Sequence, residues 1–553
     1  MVSIKKLIIL LVIFSIIKDT LYAQNNDRYP IVLNMVHHNP GEPIFYTKYA
    51  QPNYLKELNY NGQVPKFFVE CGITYDNLYD EIVPQKTEER LWIEREATAI
   101  QMQIDFAREA NMPLYPFTDV LVLPKSVMEK FKNQMTTDGH LSILKPKTQE
   151  ILRAQINGIF DRFPELDGLT IRHGETYLFD TPFHIGETPA RTPKEHIELI
   201  KILKEEICVK RNKTLFYRTW DFGFFHTQPD FYKEVTDAIE SHSLLYFSIK
   251  HTNADFLRNV PFNTTIGLGK HQQIVEISIN QAGLYGKNSH PYYIGKGIIE
   301  GWPEMTQKKG IKDLYDDSKI KGFWVWTWGD GWAGPYFSNE MWIHLNEYII
   351  RQFAKNPLRK EEDIFKEYAV QKLHLSDVDA KKFRELCLLS VNAVYLGQAS
   401  NLFDADAWWA RDQYLTAINL KEVITKALKK EVITEKKKNL DVWRQMEQLS
   451  REINMKNEKD NTFLKVSTTY GRIKYEIIDL IWKLQLIAAE VDLKKNIDKK
   501  ELKNLLEQYE YKWNEWQEFK KNNPSCPTLY LDNKAVYVKN PFQESVKILK
   551  ALL

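Results

Sequence analysis

The stretch GLTIRHGETY, residues 168–177, decides the fold class. Gly168 to Arg172 is a short run dominated by aliphatic and β-branched side chains. It breaks abruptly into His173-Gly174-Glu175-Thr176, where a glycine and charged groups collect. A run of this length with its polar residues gathered after its C-terminal end predicts a buried parallel strand feeding a functional loop. The same grammar recurs in TLFYRTWD, residues 214–221. Working outward in both directions, strand candidates fall at 31–35, 66–70, 114–117, 168–172, 214–219, 245–250, 273–279 and 322–328. Amphipathic helical stretches lie between several of them, most clearly at 88–110, 193–209 and 229–239. Repeated β-α units imply a parallel sheet covered by helices. Eight of them predict a (β/α)8 TIM barrel over residues 28–345. The alternative, an open doubly wound sheet, would carry a Gly-rich phosphate loop after an early strand, and the sequence has none.

Polar and aromatic residues follow nearly every strand candidate. They include His37-His38, Glu70, Thr118-Asp119, His173 to Thr176, Trp220-Asp221, Lys250 to Asp255, Asn280-Gln281, and Gly329 to Trp332. In a (β/α)8 barrel these are the strand ends that build the active face. Burial in a core does not predict charge at the same end of every strand.

After residue 345 the strand signal fades, and Lys, Glu, Leu and Ala recur at helical spacing. Residues 346–553 are therefore expected to form an all-helical C-terminal domain, with a small hairpin near 526–538 turning at Asp532-Asn533. The helical domain offers a surface on which a homodimer could form. The charge-rich stretches at 429–439 and 494–503 are solvated helix faces or connections. At the other end, residues 1–23 have the form of a signal peptide. Lys5 and Lys6 precede the apolar run 7–17, and Leu21-Tyr22-Ala23 offers a cleavage site. That run is shorter than the ~18 residues a spanning helix needs, so no membrane span is expected after cleavage and the compartment is periplasmic or extracellular. Lys+Arg of 75 against Asp+Glu of 73 leaves no basic excess, which argues against a nucleic-acid partner. Cys71, Cys208, Cys387 and Cys526 lie far apart, and neither disulfide nor zinc spacing is present. No metal or cofactor is expected.

Fourteen Trp residues and an aromatic content of 13% suit either a large core or a cleft that stacks sugar rings. Cleavage of a glycosidic bond commonly needs two carboxyl groups, one to protonate the leaving oxygen and one to activate water or attack. Glu175 and Asp255, after the fourth and sixth strands, are placed to face each other across a barrel mouth. Gly174 lets the chain turn before Glu175, and Tyr177 could desolvate its carboxyl. Arg218 and Lys250 lie inside strands, where a cation is costly unless paired. They would hold an anionic substrate group or form ion pairs with Asp221 or another local acid. Trp324 is expected in the core. Trp220, Trp328 and Trp332, with His173, are candidate substrate contacts. His37 and His38 diverge on a strand, and no ligand set accompanies them.

Residues 167–285 resemble the catalytic core of glycoside hydrolase family 67, the α-glucuronidases. The likeness rests on Asp167-Gly168-Leu169 through Gly174-Glu175, Phe216 to Trp220, Phe247 through Asp255, and Glu276 to Gln281. It implies Glu175 as general acid, Asp255 as one water-activating carboxylate, and Arg218 and Lys250 as the holders of a uronic acid carboxylate. Where the family has a second water-activating carboxylate, this chain has Ala282. Asp255 alone, or Glu70, Asp221 or Asp330, would then serve. No counterpart of the family's N-terminal β-rich domain is expected, since the first strand candidate closely follows residues 1–23. The resemblance implies an exo-acting, inverting hydrolase removing uronic acid from polysaccharide-derived oligosaccharides. The alternatives are a hydrolase of a neutral glycan, or a non-catalytic sugar-binding protein on a degenerate barrel.

Overall fold

The computed structural model describes residues 28–36, 46–174, 176, 178, 181–221, 223–258, 260–279, 290–305, 307–328, 339–403, 415, 417–523 and 541–553. Several expectations lie outside these residues. They are the signal peptide, His37-His38, Glu175, Tyr177, Ala282, Asp330, Trp332, the hairpin near 526–538, and the side chain of Trp328.

Eight strands form one all-parallel sheet: β1 (Ile31–Val36), β2 (Gly62–Gln63), β3 (Phe117–Asp119), β4 (Gly168–Arg172), β5 (Thr214–Arg218), β6 (Leu245–Lys250), β7 (Gln272–Ser278) and β8 (Ile320–Trp328). The hydrogen-bonded order β2-β1-β8-β7-β6-β5-β4-β3 follows the chain around a curled sheet. Curling is visible in the side chains: the rings of Phe117 on β3 and Trp324 on β8 lie 5.7 Å apart, although these strands are not neighbours. Between β2 and β3 no continuous ladder forms, so the expected (β/α)8 barrel is met as a curled, barrel-like sheet that strand pairing does not close. The seam there is an isolated parallel bridge, Gln63 to Leu114, with backbone hydrogen bonds Gln63 N to Pro113 O, Tyr115 N to Gln63 O and Phe117 N to Pro65 O.

Two strands differ from expectation, and proline accounts for both. The second was expected at 66–70 but pairs at Gly62–Gln63. Pro65 has no N–H to continue a ladder, and the chain leaves the sheet and turns at Val69–Gly72. The third was expected at 114–117 but pairs at Phe117–Asp119, because Pro113 and Pro116 interrupt the run before it. The remaining six agree within one or two residues. Gly168 opens β4 because the sheet is tight there. A Cβ would stand 2.0 Å from Thr214 O on β5.

Helices cover the outer face of the sheet. They include α1 (Glu88–Glu109), α2 (Pro146–Arg162), α3 (Pro193–Leu203), α4 (Pro229–Asp237), α5 (Gly295–Glu300) and α6 (Met341–Lys355). Their starts are written in the sequence. Thr87 caps α1 through Arg90 N, and Thr192 with Glu195 forms a reciprocal capping box ahead of Pro193. Thr214 to Arg218 shows how the strands divide two cores: Tyr217 faces the helices and packs on Phe247, while Arg218 faces the barrel interior over Phe117.

Helix α6 spans position 345 and packs against β8. Beyond it lie α7 (Asp377–Gln398), α8 (Lys429–Glu452), α9 (Glu458–Asp492), α10 (Lys499–Asn522) and α11 (Pro541–Ala551). Among the described residues after 345, no strand is present. The 35-residue α9 is the axis of this part. Gly471 leaves room for Trp443 of α8, which stacks on Tyr475 at 4.6 Å. The helical part docks on the barrel beside the segments that follow β6, β7 and β8. Arg258 donates to Val391 O, His290 packs edge-on to Trp443 at 5.3 Å, and Asn339 donates to Asp460 at 2.9 Å. Cys71, Cys208 and Cys387 are buried and free. No described helix is long and apolar enough to cross a membrane.

Candidate active site

Three buried ion pairs occupy the C-terminal end of the barrel. Arg172, the last residue of β4, forms a two-pronged pair with Asp119, the last residue of β3. Arg218, the last of β5, forks onto Glu276 of β7 at 2.8 and 2.9 Å, and Ser248 Oγ adds a third hydrogen bond to Glu276 at 2.9 Å. Lys250, the last of β6, pairs with Asp255 in the segment that follows. All six side chains are essentially excluded from solvent. Charges so placed persist only where geometry and hydrogen bonding offset their desolvation. Aromatic faces complete the setting. The guanidinium carbons of Arg172 and Arg218 each lie 4.8 Å from the Phe117 ring centroid, and that of Arg218 lies 5.5 Å from Trp326. Lys250 Nζ lies 4.0 Å from the Trp220 ring, 4.8 Å from Phe256 and 5.7 Å from Trp326. Trp326 thus faces Arg218 and Lys250, and Phe117 faces Arg172 and Arg218, so the two rings join the three pairs into one cluster.

A fourth acid belongs to it. Glu70 comes from the turn Val69–Gly72 and accepts from Asp119 N at 2.9 Å, while its Oε2 has no hydrogen-bond partner among the described residues. Burial, and then the nearby Asp119 charge, push its pKa well above the usual carboxylate range. With Glu70 protonated, the three cations Arg172, Arg218 and Lys250 balance Asp119, Glu276 and Asp255. Two further polar groups in this region lack partners among the described residues, Arg218 Nη1 and both ring nitrogens of His251. Such orphans in a buried setting mark places for water or for substrate hydroxyls.

The backbone is unusual here too. Asp255 and Phe256 both have positive φ, 43° and 65°. Side chains rarely tolerate that conformation, and its cost is characteristic of functional sites. It turns Asp255 back toward Lys250 and lays Phe256 over the same ammonium. On the opposite side, Gly174 lets the segment after β4 lie directly on the segment after β5. A Cβ at Gly174 would stand 2.4 Å from Asp221 Cα and 2.8 Å from Trp220 O. Asp221 is itself a loop organiser, accepting from Gly223 N at 2.8 Å and Phe225 N at 3.4 Å.

The structure therefore brings Asp255, Lys250, Arg218 and Trp220 together. Asp221 is not the partner of either cation. Lys250 takes Asp255, and Arg218 takes Glu276. His173 stands elsewhere. Strand alternation turns it outward, where it stacks on Tyr217 at 5.0 Å, packs edge-on to His196 of α3 at 4.9 Å, and contacts Arg218 O through Nε2 at 2.9 Å. Burial lowers its pKa to about 4, which keeps the ring neutral among these aromatic neighbours. Trp324 is fully buried in the barrel core. The Asp119–Arg172 pair and the inward position of Glu276 were not drawn from the sequence. A carboxylate inside the apolar run QQIVEIS was the available signal for Glu276. Among the described residues, no group of three His, Cys, Asp or Glu side chains could hold a metal ion.

No family model and no curated protein matches the chain. Among solved structures it is similar to a GH138 enzyme targeting pectin rhamnogalacturonan II, with a TM-score of 0.55 and 11% identity over 95% of this chain and 83% of that one. It also matches an O-GlcNAc hydrolase of Thermobaculum terrenum (TM-score 0.38, 10% identity, 90% of this chain and 95% of that one). A third match is a GH20 exo-β-N-acetylglucosaminidase of Vibrio harveyi (TM-score 0.33, 10% identity, 65% and 59%). The first of these likenesses establishes a shared fold.

Proposed function

We propose that the chain is a glycoside hydrolase acting on polysaccharide-derived oligosaccharides, with Glu175 as proton donor and Asp255 as the carboxylate that activates water. The observation that carries this is the cluster at the C-terminal barrel end, where Asp255 is held by Lys250 under the ring of Trp220. The fold shared with the GH138 enzyme supports the same class of activity. The N-terminal segment 1–23 supports work outside the cytoplasm. Uronate removal by inversion rests on the family 67 resemblance and on the concentration of three cations around one aromatic cluster. In its favour, Arg218 keeps one donor, Nη1, without a hydrogen-bond partner among the described residues. A second reading, hydrolysis of a neutral glycan, is favoured by the pairing of both Arg218 and Lys250 with carboxylates.

The deciding experiment is a turnover screen over uronate-containing and neutral oligosaccharides, with product anomers followed by NMR. Release of a uronic acid with inverted configuration supports the first reading, and release only from neutral glycans supports the second. Glu175→Gln keeps size but cannot protonate the leaving oxygen. It should lower turnover by ~10²–10⁴ on an ordinary glycoside and by less on an aryl glycoside with a good leaving group. Wild-type turnover on both would remove Glu175 from the mechanism.

A further inference from the structure

Asp255 sits in a loop that is closed at its base. Thr252 and Phe262 form an antiparallel bridge, with Asn253 N donating to Pro261 O at 3.0 Å and Asn263 N to His251 O at 2.9 Å. Within the loop, Leu257 N donates to Ala254 O at 2.8 Å and closes a tight turn whose central residues are Asp255 and Phe256. Positive φ at both is the pattern of a type I′ turn, in which Asn-Gly or Asp-Gly is preferred. Here the second central residue is Phe, whose side chain disfavours the left-handed region. A turn of this composition persists only where its surroundings hold it in place.

Contacts on two sides do so. On the inner side, Phe256 packs against Trp326 at 5.2 Å and His251 at 5.8 Å, and Asp255 pairs with Lys250. On the outer side stands Arg258, which directly follows the turn and is fully buried. Its Nε and Nη2 fork onto Glu304, the second at 3.0 Å, and its Nη1 donates to Val391 O of α7. The guanidinium also lies over the rings of Trp302 and Tyr395, at 4.3 and 4.7 Å from their centroids. All three nitrogens of the planar group are engaged, so its orientation is fixed. Leu257, between the turn and Arg258, is itself buried, which leaves the chain little slack.

We infer that Arg258 is a positioning residue for Asp255. It anchors the outer side of the 254–257 turn to Glu304 and to α7, and so sets where the carboxylate stands beside Lys250. Helix α7, remote in sequence from the barrel strands, thereby becomes part of the scaffold of the active site. The role of Asp255 rests on the hydrolase reading, whereas the anchoring of its turn does not.

The test uses full-length Arg258→Met and Arg258→Lys, the latter keeping the charge but not the fork. The substrate is the oligosaccharide that the wild-type chain turns over fastest in the screen above. A displaced catalytic group costs rate more than binding. Arg258→Met should therefore lower kcat by about tenfold or more with KM within about threefold, and Arg258→Lys should fall between it and the wild type. In an Asp255→Asn background, Arg258→Lys should change the residual kcat by less than about twofold, because the group it positions is already gone. Effects of Arg258→Lys and Asp255→Asn that multiply would overturn the inference, and so would a loss carried by KM alone. Where Asp255→Asn leaves no measurable turnover, the split between kcat and KM decides. Should Arg258→Met fail to fold, Arg258→Lys and Glu304→Gln take its place. Hydrogen exchange of peptides covering residues 251–263 needs no substrate and is read in parallel. Faster exchange there in Arg258→Lys is expected, and unchanged exchange overturns the anchoring. Faster exchange in a chain that turns over no glycan would instead overturn the hydrolase reading and leave the anchoring in place.

Discussion

Glu70 has no solvent exposure, accepts one backbone hydrogen bond, and sits beside the ionised Asp119. Ionising it would add an unpaired charge to a cluster that is already balanced. The unfolded chain releases this proton near pH 4.5, whereas the folded chain holds it to a much higher pH. The folded state therefore binds more protons above pH 4.5, and Glu70 makes stability fall as pH rises. Glu70→Gln keeps the acceptor for Asp119 N and has no proton to lose. Its melting temperature should exceed that of the wild type at pH 7, with the gap closing toward pH 4.5. An equal gap at both pH values would contradict the raised pKa. The Arg218–Glu276 pair makes the opposite case. Arg218→Met leaves Glu276 buried without its fork, and breaking a buried pair in this way costs about 3–5 kcal/mol. The double variant Arg218→Met with Glu276→Gln removes the stranded charge and should recover much of that loss in urea unfolding. If the double variant is as unstable as the sum of its parts, the two side chains do not act as a pair.

At the level of elements, the loops after β4 and β5 act as one unit because Gly174 permits backbone contact with Trp220 and Asp221. Gly174→Ala should push these segments apart. A displacement of about 1 Å near reacting groups can cost ~10²-fold in rate, while overpacking costs only about 1–3 kcal/mol of stability. The expected result is a large fall in kcat on a glycan substrate with the cooperative melt retained. Gly223→Ala is the control, since its Cβ would meet only the Asp221 side chain, at 3.4 Å. Equal effects of the two substitutions would show that the β4–β5 contact is not what matters. The same scale explains what could be read in advance. Strands β4 to β8 were legible because each is a dense apolar run with its polar residues at one end. Strands β2 and β3 were misplaced because the run at 66–70 looks like a strand, yet Pro65 ends the ladder before it, and Pro113 and Pro116 shift the third. The positions of Asp255, Lys250 and Arg218 at strand ends were legible for the same reason. Their partners were not, because pairing depends on which strands adjoin and which way residues alternate. Glu276, two strands from Arg218, is the clearest case, and the packing of His173 against Tyr217 and His196 is another.

Across the whole molecule the histidines are the feature most sensitive to conditions. Among the described residues, six are buried with lowered pKa, each chiefly by burial. His173 and His251 fall to about 4, His184 and His226 to about 3, His196 lies well below its ordinary value, and His271 is lowered as well. In the unfolded chain each takes a proton near pH 6.5. Between that pH and about 4 the unfolded state therefore binds more protons, and stability is lost as pH falls through this window. The protein should therefore be less stable at pH 5 than at pH 7, in opposition to the gain from Glu70. Melting curves at pH 7, 6 and 5 measure this, and a melting temperature unchanged across them would refute it. One substitution isolates the cause. His184 packs 5.2 Å from the Trp92 ring, and neither of its ring nitrogens has a hydrogen-bond partner among the described residues. His184→Phe therefore removes a titrating group without breaking a bond. It should shift the acid unfolding midpoint to lower pH while leaving the melt at pH 7 within about 1.5 kcal/mol of the wild type, as expected for a near-isosteric core exchange. Destabilisation at both pH values would mean that the cavity around His184 is shaped for an imidazole and that its titration is incidental.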